Sequence, residues 1–225
     1  MIFLEITSLI NKNLNRIHKL KKYKKKKLDD SYVSSADLFI ENLINKYLKK
    51  KFRSSNYFLL SEENYNKSQI NYSKYKNIFI IDPIDGTENF VSGIPIWGIS
   101  LCWYKDNKHE DSLIYFPDLK QLITKKTKKE KNKSRIIAMS SSNNKLIKSI
   151  KNLNEIRITG CCVYNIYNVI HSRFKSYSNK KANVWDFIAG FNIAYENNIP
   201  VYVDGKKYKG EILQPDKKYS IEIKN

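Results

Sequence analysis

At 225 residues the chain is long enough for one substantial core or for two closely joined lobes. Its 41% hydrophobic and 28% charged residues match an ordinary globular protein, and no apolar run approaches the ~20 residues that span a bilayer. The formal net charge of +19 invites a nucleic-acid reading; against it, the lysines are scattered, with clusters at residues 21–27 and 125–133, and Lys, Asn, Ile and Tyr are over-used together, as codon drift at tolerant surface positions would produce. In chain order, Met1 to Glu5 lacks the features of a signal peptide. Apolar residues from Phe3 to Leu20 recur at helical spacing and predict one amphipathic helix. Residues 21–30 read as a loop. Ser34-Ser35-Ala36-Asp37 looks like a capping box opening a helix whose apolar face runs from Ile40 to Phe52.

Short strands are expected next at residues 57–60, 78–81, 96–104, 112–116 and 121–124, with the continuous apolar run 78–81 suited to a strand covered on both faces. After a charged surface loop at 125–133 the pattern alternates: strand 135–139, helix 144–153, strand 155–159, helix 161–174. A last helix begins near Val184, and strands at 201–204 and 219–223 finish the chain. The strand-rich first part followed by alternating elements predicts layered α/β (α+β) structure in one domain of two fused lobes, about 1–130 and 131–225. Three cysteines, two of them adjacent, argue against a disulfide framework and for the cytosol.

The most informative stretch is Ile80-Ile81-Asp82-Pro83-Ile84-Asp85-Gly86-Thr87. A buried strand ends in an acid, a proline halts the ladder, a second acid follows, and Gly86 lets the chain turn sharply before Thr87 starts a helical turn. Two carboxylates and the Ile84 carbonyl then sit at the mouth of a sheet, with the amides of Gly86 and Thr87 placed to meet a phosphate. Such hard oxygen donors suit Mg²⁺ rather than zinc. The three histidines, His18, His109 and His171, form no recognisable metal pair or triad. By itself the stretch equally fits a turn with helix-capping acids.

The wider pattern resolves that choice. Asp-Pro-Ile-Asp-Gly-Thr-x-Asn-Phe resembles the signature of the inositol monophosphatase family, a lithium-sensitive, magnesium-dependent phosphomonoesterase superfamily. Leu60-Ser61-Glu62-Glu63 is similar to its strand-end acid pair, Trp185-Asp186-Phe187-Ile188-Ala189-Gly190 to its second signature, Gly160 to its substrate-side glycine, and Val33 to Asp37 to its Val-Thr-x-x-Asp segment. The likeness covers about residues 30–205. It implies layers of helices and sheets and hydrolysis of an inositol monophosphate-like ester by metal-activated water with two or three Mg²⁺ ions. By resemblance, Glu62, Asp82, the Ile84 carbonyl, Asp85 and Asp186 hold metal. Glu62 and Thr87 orient the attacking water, and Asp37 steadies Thr87. Gly86, Thr87, Gly160, Cys162, Asn179 and Asp186 are the expected substrate contacts.

Three departures limit what the resemblance carries over. The strand meander after Tyr104 is short, the family's Gly-rich segment after its second signature is replaced by Glu196-Asn197-Asn198-Ile199-Pro200, and Asn179 stands where inositol-specific members often carry an acid. The last keeps a 3′-phosphoadenosine 5′-phosphate nucleotidase or a sugar phosphatase open as alternatives. A basic nucleic-acid-binding protein on a phosphatase scaffold is the non-enzyme alternative, and the intact acid set weighs against it. The expected partner is a small phosphorylated substrate, without nucleic acid or membrane; a homodimer is left open.

Overall fold

The computed structural model describes residues 2–26, 32–52, 56–65, 68–125, 133–143 and 155–225. The N-terminal amphipathic segment is two helices rather than one, α1 (Ile2–Lys12) and α2 (Leu14–Lys19). The break falls at Asn13, whose side-chain amide donates to Leu9 O at 2.8 Å while its backbone closes a tighter i−3 bond to Ile10 O. A short polar side chain that competes for backbone acceptors is a poor helix interior residue. The lysine-rich segment is also not wholly a loop: β1 (Tyr23–Lys26) pairs antiparallel with β2 (Tyr32–Ser34).

Helix α3 (Ser35–Phe52) starts from the expected capping box. The Ser34 hydroxyl accepts from the Ala36 and Asp37 amides, and Asp37 Oδ2 accepts in return from Ser34 N at 2.8 Å. The five strands that follow are β3 (Tyr57–Ser61), β4 (Asn77–Asp85), β5 (Gly98–Lys105), β6 (Lys108–Phe116) and β7 (Gln121–Thr124), with the short helix α4 (Thr87–Val91) between β4 and β5. They form one sheet in that spatial order, with β3 parallel to β4 and the remaining pairs antiparallel.

The rest of the chain gives β8 (Ile137–Met139), β9 (Ile156–Arg157), α5 (Cys162–Ile170), β10 (Ser176–Ala182), α6 (Val184–Glu196), β11 (Val201–Val203), β12 (Lys206–Lys207) and β13 (Tyr219–Lys224). The helix expected at 144–153 lies outside the described residues. A second, six-stranded sheet runs β12-β11-β13-β10-β8-β9. Its central strand β10 carries the polar sequence SYSNKKA and was not expected from the pattern.

Side-chain alternation along β4 shows how the layers assemble. Phe79 and Ile81 enter one core with Phe3, Ile6, Ile10, Ile40, Ile44 and Leu48 of the N-terminal helices. Ile78 and Ile80 enter the other, with Val163 and Ile166 of α5, Phe187 and Phe191 of α6, and Tyr177, Ile221 and Ile223 of the second sheet. The order is therefore helices, sheet, helices, sheet, and the second core joins both sheets through α5 and α6. No helix among the described residues is long and apolar enough to cross a membrane.

Candidate metal and phosphate site

The C-terminal ends of the parallel pair β3 and β4 bring the acids together. Glu62 immediately follows β3, its amide bonded to Ile81 O of β4 at 3.3 Å. Asp82 lies within β4 beside an irregularity in the β4–β5 register between Asp82 and Asp85. Pro83 sits in that irregularity, where the ladder needs no donor from it. Asp186 arrives from the first turn of α6, held by a capping box in which Asn183 N donates to its Oδ2 at 2.8 Å. One carboxylate oxygen from each of Glu62, Asp82 and Asp186 lies within 4.8 Å of the others.

This clustering is electrostatically expensive. Asp82 is 2% exposed, and its carboxyl is pushed well above the usual range, first by burial and then by Glu62, Asp85, Asp186 and Asp37. Asp186 is raised likewise, by burial first and then by Glu62 and Asp85. Asp85 rises to about 6 because of burial, against the opposing pull of the Val163 amide and the Cys161 thiol. Asp82, Asp85 and Asp186 have no ion-pair partner among the described residues. An all-oxygen set with negative charge in excess is the donor chemistry of a hard divalent cation, so these residues fit one.

Asp85 differs from the other three. Its Oδ2 accepts from Val163 N at the start of α5 and from Cys161 Sγ at 3.2 Å. That anchoring couples β4 to the N-terminal end of α5, where a carboxylate is favoured. A second tie comes from Asn89, whose side-chain amide donates to Ile96 O and Thr159 O, both at 2.8 Å. It holds the loop carrying Gly160 against α4.

Gly86 makes the turn into α4 at φ +86°, and a Cβ there would meet Ile96 O at 3.1 Å and Cys161 Cβ at 3.2 Å. Only glycine satisfies both the left-handed backbone and the close approach. The Thr87 hydroxyl donates to Ile84 O at 3.0 Å. Asp37 Oδ2 accepts from the Ser34 hydroxyl as well as its amide, and its charge reaches Asp82.

These groups line a cavity of about 230 Å³. Glu62, Asp82, Ile84, Asp85, Gly86, Thr87, Gly160, Cys162, Asn179 and Asp186 all face it; of the expected site residues, only Asp37 does not. Five other contributors escaped the sequence reading: Met139, Ser140, Ser141, Asn165 and Tyr177. Asn165 was legible in principle, since it stands one turn beyond Cys161 and Cys162 on the same helical face. Tyr177 was hidden with the rest of β10.

The sequence model of the inositol monophosphatase family matches residues 3–217. The chain is 26% identical over 182 residues to a fructose-1,6-bisphosphatase/inositol-1-monophosphatase of Thermotoga maritima, covering 73% of this chain and 68% of that protein. It is 30% identical over 108 residues to the 3′(2′),5′-bisphosphate nucleotidase CysQ of Haemophilus influenzae, covering 48% and 39% of the two. For several curated relatives the match spans between 30% and 39% of the relative's length. Among solved structures, the extragenic suppressor protein suhB of Bartonella henselae superposes with a TM-score of 0.79 at 22% identity, over 98% of this chain and 92% of that one.

Proposed function

Since the chain belongs to the inositol monophosphatase family, we propose that it is a magnesium-dependent phosphomonoesterase that cleaves a small phosphate ester by direct attack of water. The observation that carries this reading is the convergence of Glu62, Asp82 and Asp186 within 4.8 Å, from three separate elements, on a cavity that also holds Gly86 and Thr87. A turn with capping acids has no reason to draw in a carboxylate a hundred positions away.

Glu62, Asp82, Asp85, Asp186 and the Ile84 carbonyl would hold two or three Mg²⁺ ions, which when bound neutralise phosphate oxygens and lower the pKa of water. The chain's own groups do the positioning. Thr87 gives its proton to Ile84 O, so its hydroxyl oxygen keeps lone pairs with which to hold the attacking water by one of its hydrogens. Glu62, at the open end of β3, accepts from the same water, and Asp37 supports this corner through its field. The amides of Gly86 and Thr87 meet phosphate oxygens. Gly160 and Cys162 bound the side from which the alcohol leaves. The relatives' names cover cyclitol, sugar and nucleotide phosphates, so the family alone leaves that alcohol open.

A panel of phosphate monoesters assayed with Mg²⁺, with excess Ca²⁺ and with a chelator tests the reading. Turnover is expected with Mg²⁺, suppressed by Ca²⁺, whose larger and looser coordination spoils in-line geometry, and absent with chelator. Full turnover in strong chelator would overturn it.

A further inference from the structure

Asn89 is the third residue of α4, half-buried, and does not line the cavity. Both protons of its side-chain amide are used, one on Ile96 O and one on Thr159 O, each at 2.8 Å. The two acceptors belong to the walls of the site. Ile96 O is the atom that a Cβ on Gly86 would meet at 3.1 Å, and Thr159 directly precedes Gly160. Gly160 itself, at φ +76°, passes so close that a Cβ there would meet the Asn89 amide oxygen at 3.2 Å. One side chain thus holds α4 against a segment 70 positions away in the chain. Asp85 supplies a further tie, to Cys161 and Val163, but it is also an expected metal ligand. Asn89 has no such second duty.

We infer that Asn89 is a positioning residue, which sets the Gly160 side of the site, where the alcohol leaves, in line with the Thr87 side, where the water attacks. The inference rests on the phosphatase reading and deepens it. In-line displacement needs the entering and leaving oxygens on opposite sides of phosphorus. Here the two sides are carried by segments that no strand pairing joins among the described residues, since β4 and β5 lie in one sheet and β9 in the other. Loss of both amide bonds frees the 159–160 segment to shift, and a misplacement of about 1 Å costs on the order of 10²-fold in rate. The size of the loss depends on the leaving group. p-Nitrophenolate departs readily wherever it is held, whereas an alkoxide needs its stabilising contacts in place as the bond breaks.

Asn89→Asp keeps the shape and turns both donors into acceptors that repel the two carbonyls. It is assayed with Mg²⁺ on p-nitrophenyl phosphate and on whichever alkyl ester the wild type cleaves fastest among inositol 1-phosphate, fructose 1,6-bisphosphate and glycerol 2-phosphate. For the alkyl ester kcat should fall ~10²-fold, at least ~10-fold more than for the aryl ester, with KM and the Mg²⁺-induced rise in thermal midpoint near wild type. A purely structural role predicts equal losses on both esters that track the fall in the metal-free midpoint. Equal losses, undiminished cleavage of the alkyl ester, or a wild type that cleaves the aryl ester alone overturn the inference and leave the phosphatase reading standing. A wild type that cleaves neither ester overturns that reading, and the inference with it. Should Asn89→Asp not fold, Asn89→Ala, which only deletes the donors, is judged by the same ratio.

Discussion

At the scale of single residues, the site separates groups that hold charge from groups that hold geometry. Thr87 belongs to the second kind, because its hydroxyl donates to Ile84 O at 3.0 Å and adds no negative charge. Thr87→Ala should therefore leave the Mg²⁺-induced rise in thermal midpoint nearly intact while lowering kcat ~10²-fold or more, the usual loss for one positioned catalytic group. Thr87→Ser should recover most of the rate. A Thr87→Ala enzyme with near wild-type kcat would reduce Thr87 to a helix-start residue. The acids were legible because each stands at a punctuated place in the sequence: Glu62 ends one apolar run, Asp82 and Asp85 flank Pro83 at the end of another, and Asp186 follows a capping asparagine. The anchoring of Asp85 by Val163 N was not legible, since it depends on which loop α5 packs beside.

At the scale of elements, the middle helix layer depends on close approach between α5 and α6. Gly190 lies on α6 where a Cβ would meet Ile166 Cγ2 of α5 at 2.6 Å and Ile114 Cδ1 of β6 at 3.2 Å. The second signature thus ends in glycine for packing, not for backbone freedom. Gly190→Ala should lower stability by ~1–3 kcal/mol through overpacking, despite alanine's better helix propensity, and a urea-melt midpoint equal to wild type would refute this. Where an element is apolar and periodic, its sequence announced it: α3, β4 and α6 fall close to their expected positions. β10 did not announce itself. Its polar residues are held in the centre of a sheet by neighbours far away in sequence, and Asn143, which donates to Ser178 O and accepts from Lys180 N, takes up backbone groups at its irregular end. The break at Asn13 was hidden for a related reason, since apolar spacing continues through it while one side chain diverts the backbone bonds.

At the scale of the whole molecule, a basic chain carries an acidic centre, and the two respond oppositely to pH. The excess of 41 Lys and Arg over 22 Asp and Glu draws anionic substrates toward the surface and makes self-repulsion grow as carboxylates are protonated. The centre acts in reverse. Asp82, Asp85 and Asp186 all have carboxyls raised in the folded protein, Asp85 to about 6 and the other two well above the usual carboxylate range, against roughly 3.9 for an unfolded aspartate. Between those limits the folded metal-free protein binds more protons than the unfolded chain, so these groups make stability fall as pH rises from about 4 through 6 and beyond. Cations that replace the protons reverse this, because Mg²⁺ competes with them for the same oxygens. The increase in thermal midpoint on adding Mg²⁺ should therefore be small at pH 5 and grow steadily toward pH 7.5, while the surface charge contributes equally with and without the ion. Asp186→Asn tests the assignment, since asparagine retains an oxygen for the Asn183 amide that caps α6. It should raise or preserve the metal-free midpoint at pH 7.5, flatten the pH-dependent gain from Mg²⁺ and abolish hydrolysis. A variant that keeps the wild-type Mg²⁺ gain and turnover would remove Asp186 from the metal site and leave its carboxylate a helix cap.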